Sequence, residues 1–62
     1  MDPRVVSILA SIYAEVTCIE GMKAENQQRA AQGYSVAYDE KSFVERANTL
    51  TYLADCARNL SN

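Results

Sequence analysis

Histidine and tryptophan are both missing from this 62-residue chain, which holds one Pro, two Gly and two Cys. Without His, a His-ligated zinc, a Ser-His-Asp triad and a Cys-His dyad are all excluded within one chain. So little Pro and Gly excludes collagen-like and low-complexity sequence. Neither sign of charge dominates: six basic and eight acidic residues give a net charge of −2. The chain therefore lacks the electrostatic footprint of a general DNA binder or a polybasic membrane anchor, and the same charge weakens, without excluding, a bundle that binds structured RNA. No uninterrupted apolar run reaches the ~18 residues of a membrane span. The apolar segment Val5 to Ala14 is broken by Ser7 and Ser11, and Glu15 follows it, which does not read as a leader. The expectation is a soluble, cytoplasmic protein with free thiols.

What is present is helical. Asp2-Pro3 offers an N-cap acceptor followed by proline at the first helical position, where its missing N–H costs nothing. Helix formers continue to Gln32, and Gly33 is the natural stop. Gly21 is the weak point at which this first helix either runs through, kinks or breaks. After a connection at 33–39, Asp39 caps a second helix over 40–60. Tyr38 and Phe43 flank the cap at the spacing of a hydrophobic staple. The expected fold is all-α: one domain over 1–62, an antiparallel two-helix hairpin. So small a chain hides little surface by itself and commonly relies on partners, so a homo-oligomeric helical bundle is expected, a dimer or higher.

The first helix carries two patterns. Val5, Ile8, Leu9, Ile12, Val16 and Ile19 gather on one face and predict the contact with the second helix. The second helix answers with Phe43, Ala47, Leu50, Leu53, Ala54, Ala57 and Leu60. Nearly opposite on the first helix runs a small-residue stripe: Ser7, Ala10, Ala14, Thr17, Gly21, Ala24, Gln28 and Ala31. Its alternating three and four spacing is that of a helix–helix seam, so Ala10, Ala14, Thr17, Gly21 and Ala24 are expected to receive another protomer. Cys18 and Cys56 point away from the mutual face, which argues against an intrachain disulfide. The carboxylates form no ExxE or ExxH pair of the bundle-metal type and read as a solvated acidic face. No metal, cofactor or catalytic residue is expected, nor an enzyme.

Chemistry concentrates near the connection. The apolar face of helix 1 ends in Lys23 and Asn26, with Arg29 at its edge, beside a loop holding Tyr34, Ser35 and Tyr38. Two readings stand side by side. In the structural one, Asn26 caps loop carbonyls, Arg29 pairs with Glu25, and Lys23 snorkels or meets Asp39. In the functional one, these six residues hold a small anionic, nucleotide-like ligand, with cations on phosphate and tyrosines stacking on a base. Asp39 and Glu40 oppose that reading by placing negative charge at the start of helix 2.

The run Glu20-Gly21-Met22-Lys23-Ala24-Glu25-Asn26, with Arg29, Gly33, Ser35, Ala37-Tyr38 and Phe43, resembles small helical bacteriophage proteins. The resemblance implies a non-enzymatic accessory or anti-defence role in the host cytoplasm. Such a role takes the form of sequestering a nucleotide-like ligand or of masking a host protein as inhibitor or adaptor.

Overall fold

The computed structural model describes residues 1–61. It contains α1 (Pro3–Ala31) and α2 (Glu40–Ser61), packed antiparallel as a hairpin, with no strand among the described residues. Asp2 caps α1: its carboxylate accepts from the Arg4 amide at 2.8 Å, and its backbone carbonyl accepts from Val5 and Val6. The helix continues without interruption through Gly21. At its C-terminus Gln32 is the cap, one residue short of where the sequence pattern carried the helix. Gly33 turns the chain at φ +82°. The Tyr34 amide returns to the Arg29 carbonyl (2.8 Å) and the Gly33 amide to that of Ala30 (3.1 Å), the Schellman arrangement. Asp39 then caps α2 by accepting from the backbone N–H and the hydroxyl of Ser42, each at 3.1 Å.

Burial follows a strict heptad on both helices. The less exposed residues of α1 are Val5, Ile8, Ile12, Glu15, Ile19, Met22, Asn26 and Arg29, with Glu25 alongside. On α2 they are Phe43, Arg46, Leu50, Leu53, Ala57 and Leu60, with Ser42 and Cys56 alongside. This corrects the wider contact face expected from the sequence. Leu9 and Val16 are 38% and 42% exposed, and Ala47 and Ala54 are exposed too. The reason is geometric: a single partner helix covers only the narrow seam at 3- and 4-residue spacing, not the broad stripe that faces a larger core. Glu15 and Arg46 occupy seam positions that the sequence reading gave to apolar side chains. Glu15 therefore leaves the solvated acidic face on which it was placed. Cys56 is likewise half-buried rather than turned away, while Cys18 is exposed; both are free thiols.

The result is thin. Met22, at 5% exposure, is the one buried side chain among the described residues. The hairpin measures 49 × 18 × 8 Å with a radius of gyration of 14.9 Å, against about 11 Å for a compact chain of this length. It exposes 4692 Å², where a compact chain of this mass exposes about 4,000 Å². The small-residue stripe, including Ala10, Ala14, Thr17, Gly21 and Ala24, is exposed along its whole length. α1 is also long and apolar enough to cross a membrane. Although no uninterrupted apolar run is that long, an 18-residue window averages a hydropathy of 1.5, and only 6% of it is buried in the hairpin.

Candidate functional site at the hairpin tip

Asn26 organises the tip. As the last polar seam position before Arg29, it faces the connection, and its amide bonds three backbone groups there. Its Oδ1 accepts from the Ala37 and Tyr38 amides at 3.0 Å each, and its Nδ2 donates to the Tyr38 carbonyl at 2.8 Å. A side-chain amide suits this task because it combines an acceptor with two lone pairs and a two-hydrogen donor. The connection is thereby stapled to α1, and both acceptor positions of Asn26 are taken.

The remaining members of the six-residue cluster spread over different surfaces. Arg29 donates from Nε to Glu25 Oε1 at 3.0 Å, the i, i+4 pair expected from the sequence. Lys23 meets Glu20 at 3.4 Å rather than Asp39. Tyr34 is 64% exposed and Tyr38 is 38% exposed, and Ser35 lies exposed between them. At the start of α2 the Ser42 backbone donor is already met by Asp39. A shallow hollow of about 270 Å³ opens beside the end of α1, lined by Glu25, Gln28, Arg29, Gln32 and Tyr34. It brings together Arg29 and Tyr34 of the cluster and leaves Lys23, Asn26, Ser35 and Tyr38 outside. Gln28 and Gln32, spaced i, i+4, add two amides that sequence reasoning did not include; that spacing was the signal available for them. The hollow lies at the negative end of the α1 dipole and includes the Glu25 carboxylate, both unfavourable to an anion.

A second polar cluster lies midway along the hairpin, where sequence reasoning found none. Arg46 Nη1 donates to both oxygens of Glu15, each at 3.2 Å. The hydrogen bond to Glu15, then the charges of Cys18, Glu15 and Glu45, push the Arg46 guanidinium further above its ordinary value. Nearby on α2, the Tyr52 phenol is raised, first by its hydrogen bond to Cys56 and then by electrostatic repulsion from the Cys56 sulfur in its thiolate form. A hollow of about 480 Å³ lined by Asn48, Thr49, Tyr52 and Leu53 runs beside it. Among the described residues no group of three His, Cys, Asp or Glu could hold a metal ion. Compared with family models, curated proteins and solved structures, the chain matches none.

Proposed function

We propose that this chain is a non-enzymatic binding module, a phage-type accessory protein that acts as a homo-oligomer and covers the surface of a host protein. The carrying observation is its unpartnered apolar surface. Leu9, Tyr13, Val16 and Val44 are 38–72% exposed, and Met22 is the one buried side chain among the described residues. Apolar surface left open on this scale marks an association site, which the homo-oligomer fills first. The opposite side, with exposed Tyr52 and the hollow it shares with Asn48, Thr49 and Leu53, is left to meet the host protein. The cations of the two polar clusters are already engaged by carboxylates: Arg29 by Glu25, Lys23 by Glu20, and Arg46 by Glu15. Neither thiol has a histidine to activate it.

A second reading is favoured by the hollow at the tip. There Arg29 and Tyr34, with the amides of Gln28 and Gln32, offer hydrogen bonds and a ring face to a small nucleotide-like ligand. The use of Asn26 by the loop and the nearness of Glu25 count against it. Native mass spectrometry of the chain purified from the cells that express it separates the two. A retained protein supports the covering role, and a retained nucleotide supports the ligand role. A chain that comes through with neither overturns both.

A further inference from the structure

The two flat sides of the hairpin differ in kind. In antiparallel right-handed helices, residues turned in the same sense from the seam emerge on the same side of the pair. Positions immediately before a seam residue include Ser11, Ala14 and Cys18 on α1, and Glu45, Thr49 and Tyr52 on α2. That Cys18, Glu45 and Glu15 all act on Arg46 agrees with this placement. Positions immediately after a seam residue include Val6, Leu9, Tyr13 and Val16 on α1, and Val44 and Ala47 on α2, continued by Thr51 and Ala54. Of the large exposed hydrophobic residues in the two helices, all but Tyr52 lie on this second side.

From this sidedness we infer that the apolar side is the dimer face and that its occupant is a second copy of this chain, giving a four-helix bundle. The inference rests on the oligomeric reading above and specifies its surface. Area supports a copy of the same size: the chain exposes 4692 Å², roughly 700 Å² beyond a compact chain of its mass, and a standard interface buries about 800 Å² per partner. The pattern supports it as well. Leu9, Val16, Ala47 and Ala54 belong to the broad apolar stripes of their helices, yet the intrachain seam leaves them uncovered. Broad stripes are the signature of helices that pack on two neighbours, as in a four-helix bundle. Charge supports an antiparallel two-fold arrangement. Glu40 and Arg58 lie on this side at opposite ends of α2, so reversing the second chain brings unlike ends together.

Sedimentation equilibrium of the full chain between about 1 and 100 µM, without lipid, is the direct test. The expected result is a shift to twice the 6.9 kDa chain mass, with a denaturation midpoint that rises with concentration. The double variant Leu9→Lys/Val16→Lys should sediment as a monomer throughout, and Ala47→Glu should weaken association at least tenfold. Because Ala47 is exposed in the single hairpin, its variant reports on the dimer without disturbing the intrachain seam. Tyr52→Lys, on the other side, should leave the mass unchanged. A wild-type monomer at 100 µM overturns the inference, as does a dimer that survives Leu9→Lys/Val16→Lys or is lost in Tyr52→Lys. So does a chain that stays monomeric in buffer and partitions into phosphatidylcholine vesicles through α1. A folded wild-type monomer that still binds a host protein would sink the dimer alone and leave the covering role standing.

Discussion

Arg46 and Glu15 meet across the two helices although 31 residues separate them, with one guanidinium nitrogen 3.2 Å from both carboxylate oxygens. They stand at facing heptad positions that apolar side chains would otherwise fill. The Glu15 side chain is 20% exposed and that of Arg46 is 42% exposed. Such a pair contributes register more than stability, because desolvation offsets much of the attraction.

Arg46→Leu alone should lower the thermal midpoint, since it strands Glu15 among apolar neighbours. Glu15→Leu/Arg46→Leu together should recover it or exceed it. Thermal unfolding by circular dichroism of the four members of this cycle checks the sign. A double variant less stable than the wild type would show that the pair is a net source of stability.

Asn26→Ala removes three hydrogen bonds from the tip and should cost about 1.5–4.5 kcal/mol, with each net bond worth roughly 0.5–1.5 kcal/mol. Asn26→Asp keeps the two acceptances from Ala37 and Tyr38 and loses the donation to the Tyr38 carbonyl, so it should lie between. Urea unfolding gives the order, and amide exchange should show Ala37 and Tyr38 losing protection first.

The two glycines should respond with opposite signs. Gly33→Ala forces a side chain onto φ +82° and should destabilise by about 1 kcal/mol. At Gly21 an added Cβ meets nothing within 4 Å, and in a helix interior Ala is favoured over Gly by about 1 kcal/mol. Gly21→Ala should therefore stabilise the hairpin. A loss of oligomer in Gly21→Ala would instead place a protomer against the small-residue stripe.

Acid should loosen the start of α1, and base the middle of α2. The hydrogen bonds from Arg4 hold the Asp2 carboxyl below its ordinary 3.8, so its contribution is present above that value and fades as pH falls through the lowered one. Tyr52 is raised above its ordinary 10.0 by its bond to Cys56, so that contribution is present below pH 10 and is lost as pH rises through the raised value. Helicity followed by circular dichroism should be flat between these limits. Asp2→Asn, which still caps, should remove the acid limb.

Lys23→Gln/Arg29→Gln decides whether the tip cations do more than solubilise. Both are paired at the surface with Glu20 and Glu25, so stability should change by less than about 1 kcal/mol. If the hollow beside Arg29 takes a nucleotide, calorimetric binding should fall about ten- to a hundredfold, from the loss of roughly 1.5–3 kcal/mol per charge-assisted hydrogen bond. No heat from the wild type with millimolar cyclic or linear nucleotides would end the ligand reading.

The caps, the turn and the antiparallel hairpin were legible because each is local. Asp2-Pro3, Gly33 and Asp39 fix their own backbone whatever packs later. The role of Asn26 was half legible, since its place on the core-facing side demanded partners, but only the fold could show that these were two amides and a carbonyl. The seam was misread at Leu9, Val16, Ala47 and Ala54 because hydrophobicity reports how much surface wants covering, not which chain covers it. Arg46 and Glu15 were missed for the converse reason. Each looks like a solvent residue on its own helix, and their pairing exists only once the two helices lie at one register.

The staple between Asn26 and the connection also orders events in time. It closes a loop of about a dozen residues, a step on the scale of 10–100 ns once both strands of the tip are near, while the seam from Met22 back to Val5 closes progressively longer loops. The hairpin should therefore zip from its tip towards Val5 and Leu60, through contacts of low sequence separation. Assembly with another chain, which depends on concentration, comes afterwards. A refolding trace should thus show a fast phase indifferent to protein concentration, carried by the tip, before any slower phase that depends on it.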